Sequence, residues 1–151
     1  HPVGRLDADS RGALLLTDLG ELTLKLTHPR YSHTKTYRVW VEGVPPDVAL
    51  DRWRSGLPLD GRRTRPARVR LLRTRGTRSL LEIELKEGRN RQIRRIAEAL
   101  GHPVLDLQRT AIAGLTLGDL SEGCWMWLSE REWKPMLERA VPLDLPHSPC
   151  D

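Results

Sequence analysis

The chain has 151 residues, 38% of them hydrophobic and 30% charged, enough for one domain with a true core and too few for two. Its net charge of +5 is uneven: residues 62–95 hold thirteen Arg or Lys against Glu82, Glu84 and Glu87, a balance of +10 that leaves the remainder at −5. Cys124 and Cys150 stand alone, which argues against a disulfide framework or a metal centre, and with no signal-like opening and only a short apolar run at Leu14–Leu16 the expected location is the cytoplasm.

The chain opens at His1 without an initiator Met and is read as a fragment or a processed product. Gly4-Arg5-Leu6-Asp7-Ala8-Asp9-Ser10-Arg11-Gly12 then sets a carboxylate among glycines and arginines. A carboxylate beside fixed guanidinium groups stays ionised, which suits a nucleophile or an electrostatic anchor better than a proton donor. The plainer reading makes Asp7, Asp9 and Ser10 turn and cap residues. Ala13 to Leu16 predicts a strand. Thr17 or Asp18 then caps a short helix through Leu26, with Leu19, Leu22 and Leu26 on one face and His28-Pro29 ending it.

Thr36 to Val41 alternates, with Tyr37, Val39 and Val41 on one side of a strand and Thr36, Arg38 and Trp40 on the other. Pro45-Pro46 opens a helix from Asp47 to Ser55 that Gly56 closes, and Leu57 to Arg65 reads as loop. Residues 67–85 predict a hairpin in which Leu71 faces Leu81 and Val69 faces Ile83, while Arg70 meets Glu82 and Arg68 meets Glu84 on the other side. A slip of one residue would set Val69 against Glu82, so the pattern selects this register and a three-residue turn Arg75-Gly76-Thr77.

Ile93, Ile96, Ala97 and Leu100 then form one helical stripe, with Asn90 as candidate cap and Gly101 as the stop. Arg91 and Arg95 fall on its outer face. Arg94 lies at the edge of the stripe, able to point into a cleft, with Glu98 as its plain partner four residues on. Val104 to Thr110 and Trp125 to Leu128 read as strands, and Ser129-Glu130-Arg131-Glu132 is a capping box for a last helix to about Arg139. Residues 141–151 read as a loose tail after a domain spanning 1–140.

A basic block inside an otherwise acidic chain is the footprint of a polyanion partner. Because the block is almost all Arg, whose planar fork grips phosphate and stacks on bases, nucleic acid is favoured over a membrane surface.

Three stretches in order, Gly4-Arg5-Leu6-Asp7 with Gly12 and the run to Thr17, Lys35-Thr36-Tyr37, and Glu87-Gly88-Arg89-Asn90-Arg91-Gln92-Ile93-Arg94-Arg95 continuing into Gly101-His102-Pro103-Val104, resemble the RsuA-like branch of the pseudouridine synthases of ribosomal RNA. The resemblance implies an α+β catalytic fold with a mixed, largely antiparallel sheet and flanking helices, N-terminally incomplete because the small RNA-binding domain and early Lys-Pro motif usual in the family are not in this sequence. It implies a cofactor-free isomerase of a uridine in ribosomal RNA; the expected state is a monomer. In it Asp7 is the nucleophile, Tyr37 the ring that stacks on the target base and helps the C5 proton leave, and Arg94 the partner of Asp7. The expected RNA-binding set is Arg5, Lys35, Arg89, Asn90, Arg91 and Arg95, with Arg89 and Arg91 as phosphate contacts at a helix N-terminus. Ser10-Arg11 stands where Thr and an acid are commoner in the family, adding positive charge near Asp7. The competing readings are an rRNA-binding module without chemistry and hydrolysis of a glycosidic bond by Asp7 and Asp9.

Overall fold

A computed structural model of the chain describes residues 1–28, 31 and 33–138. The expected tail 141–151 and the boundary at 140 lie outside them. Strand β1 (Arg11–Gly12) is followed by helix α1 (Gly20–Thr27), β2 (Lys35–Glu42), α2 (Asp47–Ser55), β3 (Pro58–Leu59), β4 (Arg62–Arg63), β5 (Arg68–Arg75) and β6 (Arg78–Leu85). Helix α3 (Gln92–Ala99), β7 (Val104–Ile112), β8 (Leu115–Thr116) and α4 (Glu130–Glu138) complete the order.

The main sheet runs β1-β7-β2-β6-β5, with β8 added to β7, and every pairing is antiparallel except the parallel contact of β1 with β7. This is the mixed, largely antiparallel α+β architecture expected. One sheet face carries Val39, Val41, Val69, Leu81, Ile83 and Leu107, and α2 and α3 close over it with Leu50, Trp53, Ile93, Ile96 and Ala97. Burial of these side chains is the main force holding sheet and helices together, at roughly 1.5–3 kcal/mol each. A second cluster ties Val3 of the N-terminal segment to Leu22 and Leu26 of α1, Ile112 of β7 and Met136 of α4. Among the described residues no helix is long and apolar enough to cross a membrane.

Several local expectations need correction. Ala13 to Leu16 does not form a strand: only Arg11–Gly12 pairs in the sheet, and Leu16 makes a single bridge to Pro2. Helix α1 starts at Gly20 with Leu19, rather than Thr17 or Asp18, at its cap; Thr17 uses its hydroxyl to accept from the Leu19 amide in a turn, and Leu19 stays 39% exposed. The loop at 57–65 contains the small β3-β4 ladder. Trp125 to Leu128 pairs with no strand among the described residues, and Trp125 and Trp127 meet edge to face at 5.4 Å on the surface. The capping-box reading of Ser129 holds, since Glu132 reaches back to accept from the Ser129 amide at 3.0 Å.

The β5-β6 hairpin follows the expected register from Arg68↔Glu84 to Leu71↔Leu81 and then shifts by one at a bulge, so Arg73 faces Leu80 and Arg75 faces Arg78. The turn is therefore Gly76-Thr77. Bulges re-aim side chains, and this one turns Arg73 and Arg75 onto the face of Arg68 and Arg70, away from the core.

Candidate active site

The segment from Gly4 to Gly12 is held from both ends. The Val3 amide donates to the Leu15 carbonyl at 2.8 Å and the Ala13 amide to the Arg109 carbonyl at 2.9 Å, while Ser10 N–H closes a turn onto Asp7 O at 2.9 Å. At Gly12 the two backbones come so close that a Cβ would lie 2.2 Å from Arg109 O, and φ there is +119°. Only glycine fits.

Helix α3 then grips this loop through two arginines one turn apart. Arg91 precedes the helix in a left-handed conformation, φ +51°, and so takes the cap position expected for Asn90. From there it donates to both carboxylate oxygens of Asp9 at 3.0 and 2.8 Å and approaches Asp7 to 3.6 Å. Arg94 donates to the Asp9 carbonyl at 2.6 Å and Ser10 Oγ at 3.1 Å, with its Nε 3.5 Å from the Asp9 carboxylate. On the other side Arg11 makes a two-pronged pair with Asp106 of β7 at 3.0 and 2.8 Å. The extra positive charge at position 11 is thus matched by Asp106 rather than delivered to Asp7.

The Arg91 hydrogen bond, with Arg94 adding attraction, holds the Asp9 carboxyl down to about 2 from the ordinary 3.8. A depressed carboxyl contributes stability above its unfolded value and loses it as pH falls through the folded one. The loop-to-helix clamp is therefore intact above about pH 4 and released as pH drops towards 2; loss of the Arg91 side-chain N–H signal in nitrogen-edited NMR over that window checks it.

Asp7, Tyr37 and Arg94 line one cleft of about 330 Å³, together with Arg5, Lys35, Arg89, Asn90, Arg91 and Arg109. That volume is at the small end of ligand sites, suited to a single nucleoside. Tyr37 comes from the core side of β2, as the alternation predicted, and lies opposite Arg109 of β7. Burial pushes its phenol above 10, Arg109 opposes the shift, and the charge of Asp7 adds to it. The ring is therefore neutral at physiological pH. The folded chain holds this proton more tightly than the unfolded one, a contribution present below pH 10 and lost as pH rises through the folded value. An alkaline absorbance titration should show one tyrosine ionising late, a step that Tyr37→Phe removes.

Lys35 enters the same cleft from the start of β2, its amine pulled below its ordinary value first by burial and then by Arg109. Arg109 went unnoticed in the sequence, inside an ordinary-looking strand. It is 5% exposed, donates from Nε to Ala13 O at 2.9 Å and from a terminal nitrogen to Arg5 O at 3.4 Å, and leaves its other terminal nitrogen unpaired.

The expected RNA-binding residues divide into two groups. Arg5 is exposed and only 4.0 Å from Asp7, Asn90 is exposed, and Lys35 faces the cleft. Arg91 is committed to Asp9, Arg95 pairs with Asp60 at 2.6 Å, and Arg89 donates to the carbonyls of Arg62, at 3.1 Å, and Leu59, bracing the β3-β4 ladder. Arg94 pairs with neither Asp7, as the resemblance implied, nor Glu98; Arg91, placed by its left-handed backbone, comes nearest Asp7 at 3.6 Å, with Arg5 at 4.0 Å. Among the described residues no group of three or more His, Cys, Asp or Glu could hold a metal.

Residues 1–99, which include the loop, Tyr37 and all of α3, match the family described as RNA pseudouridylate synthase. The chain belongs to that family. It is 42% identical over 136 residues to the ribosomal large subunit pseudouridine synthase B of Bacillus subtilis, covering 89% of this chain and 56% of that protein. It is 41% identical over 150 residues to the ribosomal large subunit pseudouridine synthase E of Xanthomonas campestris, covering 89% of this chain and 80% of that protein. A solved structure described as a pseudouridylate synthase superposes with a TM-score of 0.82 at 31% identity, over 90% of this chain and 59% of the other. The chain thus spans little more than half the length of the Bacillus relative.

Proposed function

We propose that the chain is the catalytic part of an enzyme that isomerises a uridine of ribosomal RNA to pseudouridine, working in the cytoplasm as a single copy. The observation that carries this reading is the convergence of Asp7, Tyr37 and Arg94, from three separate parts of one chain, on a single cleft. In a paired or stacked RNA the glycosidic bond is hidden, so the nucleotide has to swing out to reach that cleft, at a cost of a few kcal/mol. The neutral Tyr37 ring then offers a flat face for the uracil, and the cations Arg5 and Lys35 with the Asn90 amide receive the backbone phosphates.

Asp7 is the nucleophile, held between Arg5 and Arg91. It forms a temporary bond to the sugar or the base while the N1–C1′ bond breaks. The base turns, C5 bonds to C1′, the aspartate bond breaks, and the C5 proton leaves as N1 takes one up. Atoms and electrons balance without an oxidant or a co-substrate, so the chemistry calls for no cofactor. Arg94 acts as a positioning residue through Asp9 and Ser10, fixing the loop that carries Asp7.

Sequencing stops after carbodiimide treatment of ribosomal RNA, compared between cells with and without the gene, test the reading. One stop lost with the gene supports it; an unchanged pattern contradicts it.

A further inference from the structure

The sheet face turned away from the cleft carries a second basic site. In the cross-strand rows of this face, Arg38 and Arg70 flank Glu82, and Arg68 faces Glu84. Ion pairs of 2.7 Å for Arg70–Glu82 and 3.4 Å for Arg68–Glu84 neutralise that half of the hairpin. Towards the turn the compensation thins: Glu42 of β2 stands across from Arg78 without forming an ion pair with it. Arg75 lies directly opposite Arg78, a like-charge pairing that disfavours the sheet, and neither makes an ion pair among the described residues. Arg73, brought to this face by the bulge, lies with its guanidinium carbon 5.5 Å from the centre of the Trp40 ring. Trp40, Arg73, Arg75, Arg78, Leu105 and Asp106 enclose a shallow site of about 270 Å³.

We infer that this site binds a single-stranded segment of the RNA substrate, with Trp40 and the Arg73 plane stacking on a base and Arg75 and Arg78 taking the adjacent phosphates. A stacking platform beside unmatched arginines is the arrangement that holds single strands without reading their sequence. The Trp40 ring beside the guanidinium groups favours RNA over an acidic polypeptide, because a base stacks there and a carboxylate does not. Asp106 lines this site and is paired with Arg11 of the loop that carries Asp7. The Arg11–Asp106 pair thus ties this site to the segment that carries Asp7. The bulge and the repulsive Arg75–Arg78 pair cost the fold stability, and a phosphate between the two guanidinium groups relieves that repulsion.

The inference rests on the proposed action on RNA, and its test separates the two. Fluorescence anisotropy of the complete protein with a labelled single-stranded 12-nucleotide RNA is followed against salt. Arg75→Gln with Arg78→Gln should weaken binding about tenfold and flatten the log–log salt slope by about 1.4, or 0.7 per lost phosphate contact. Trp40→Ala should weaken it by a similar factor and Trp40→Phe much less, while Asp7→Asn binds like the wild type. Should Trp40→Ala fail to fold, the arginine pair still decides. If these losses appear in a protein that forms no pseudouridine, the binding site stands and the catalytic reading falls. Unchanged affinity and slope in the double variant, or competition by polyglutamate equal to that by unlabelled RNA, overturns the inference.

Discussion

Asp7→Asn is expected to abolish pseudouridine formation, lowering turnover by about 10³-fold or more, while leaving melting temperature and RNA affinity near those of the parent. The amide is isosteric, so the turn closed by Ser10 N–H on Asp7 O survives. What is lost is, among the described residues, the only carboxylate that lines the cleft. General acid–base groups alone contribute 10²–10⁴-fold, and a group that forms the covalent bond stands at or above the upper part of that range. Quantifying pseudouridine in digested ribosomal RNA by mass spectrometry checks it. The matching Asp9→Asn change should behave differently. It breaks the two-pronged contact with Arg91 and loosens the loop, so activity falls with a stability loss rather than with the fold intact.

Gly12→Ala is expected to be among the most damaging changes for folding, costing about 4 kcal/mol or more, at the upper end of single substitutions. Two causes add. The residue has φ +119°, which disfavours any side chain, and the new Cβ would meet Arg109 O at 2.2 Å and Arg109 N at 2.5 Å, atoms of a strand in the middle of the sheet order. Neither backbone can withdraw without breaking β1 from β7 and moving the loop that carries Asp7. Urea denaturation measures the loss. A variant as stable as the parent would mean that the loop does not approach β7 as described.

Much of this arrangement is legible in the chain because it is written in periodicities. The alternation of Thr36 to Val41, the 3–4 spacing of Ile93, Ile96, Ala97 and Leu100, and the facing of Arg68 and Arg70 with Glu84 and Glu82 each have one buried face, and burial enforces them. The bulge escapes such reading. Leu71-Leu72 supplies two apolar residues in a row, so the pattern is satisfied whether or not the register slips there, and the short Gly76-Thr77 turn decides. The left-handed backbone at Arg91 leaves no composition signal, yet it determines which arginine reaches Asp7. Asp7 and Asp9, two residues apart in a loop, cannot be told apart by spacing; the fold sets one half-buried in the cleft wall and hydrogen-bonds the other to Arg91. Arg109 shares its side of the strand with the buried Leu107 and Ala111, so alternation already turned it inward, opposite Tyr37; only its charge disguised it as a surface residue. The run Trp125 to Leu128 has the composition of a strand without a ladder to join among the described residues.

The central claim is that one ionised aspartate, a neutral tyrosine ring and an arginine-braced loop act together on a single uridine swung out of its RNA. Ribosomal RNA labelled with tritium at uracil C5, incubated with the complete protein, tests this most directly. The account predicts release of one tritium per modified site, absent with Asp7→Asn. RNA that is bound with a salt-dependent affinity but keeps all its label would contradict it and leave an RNA-binding module without chemistry.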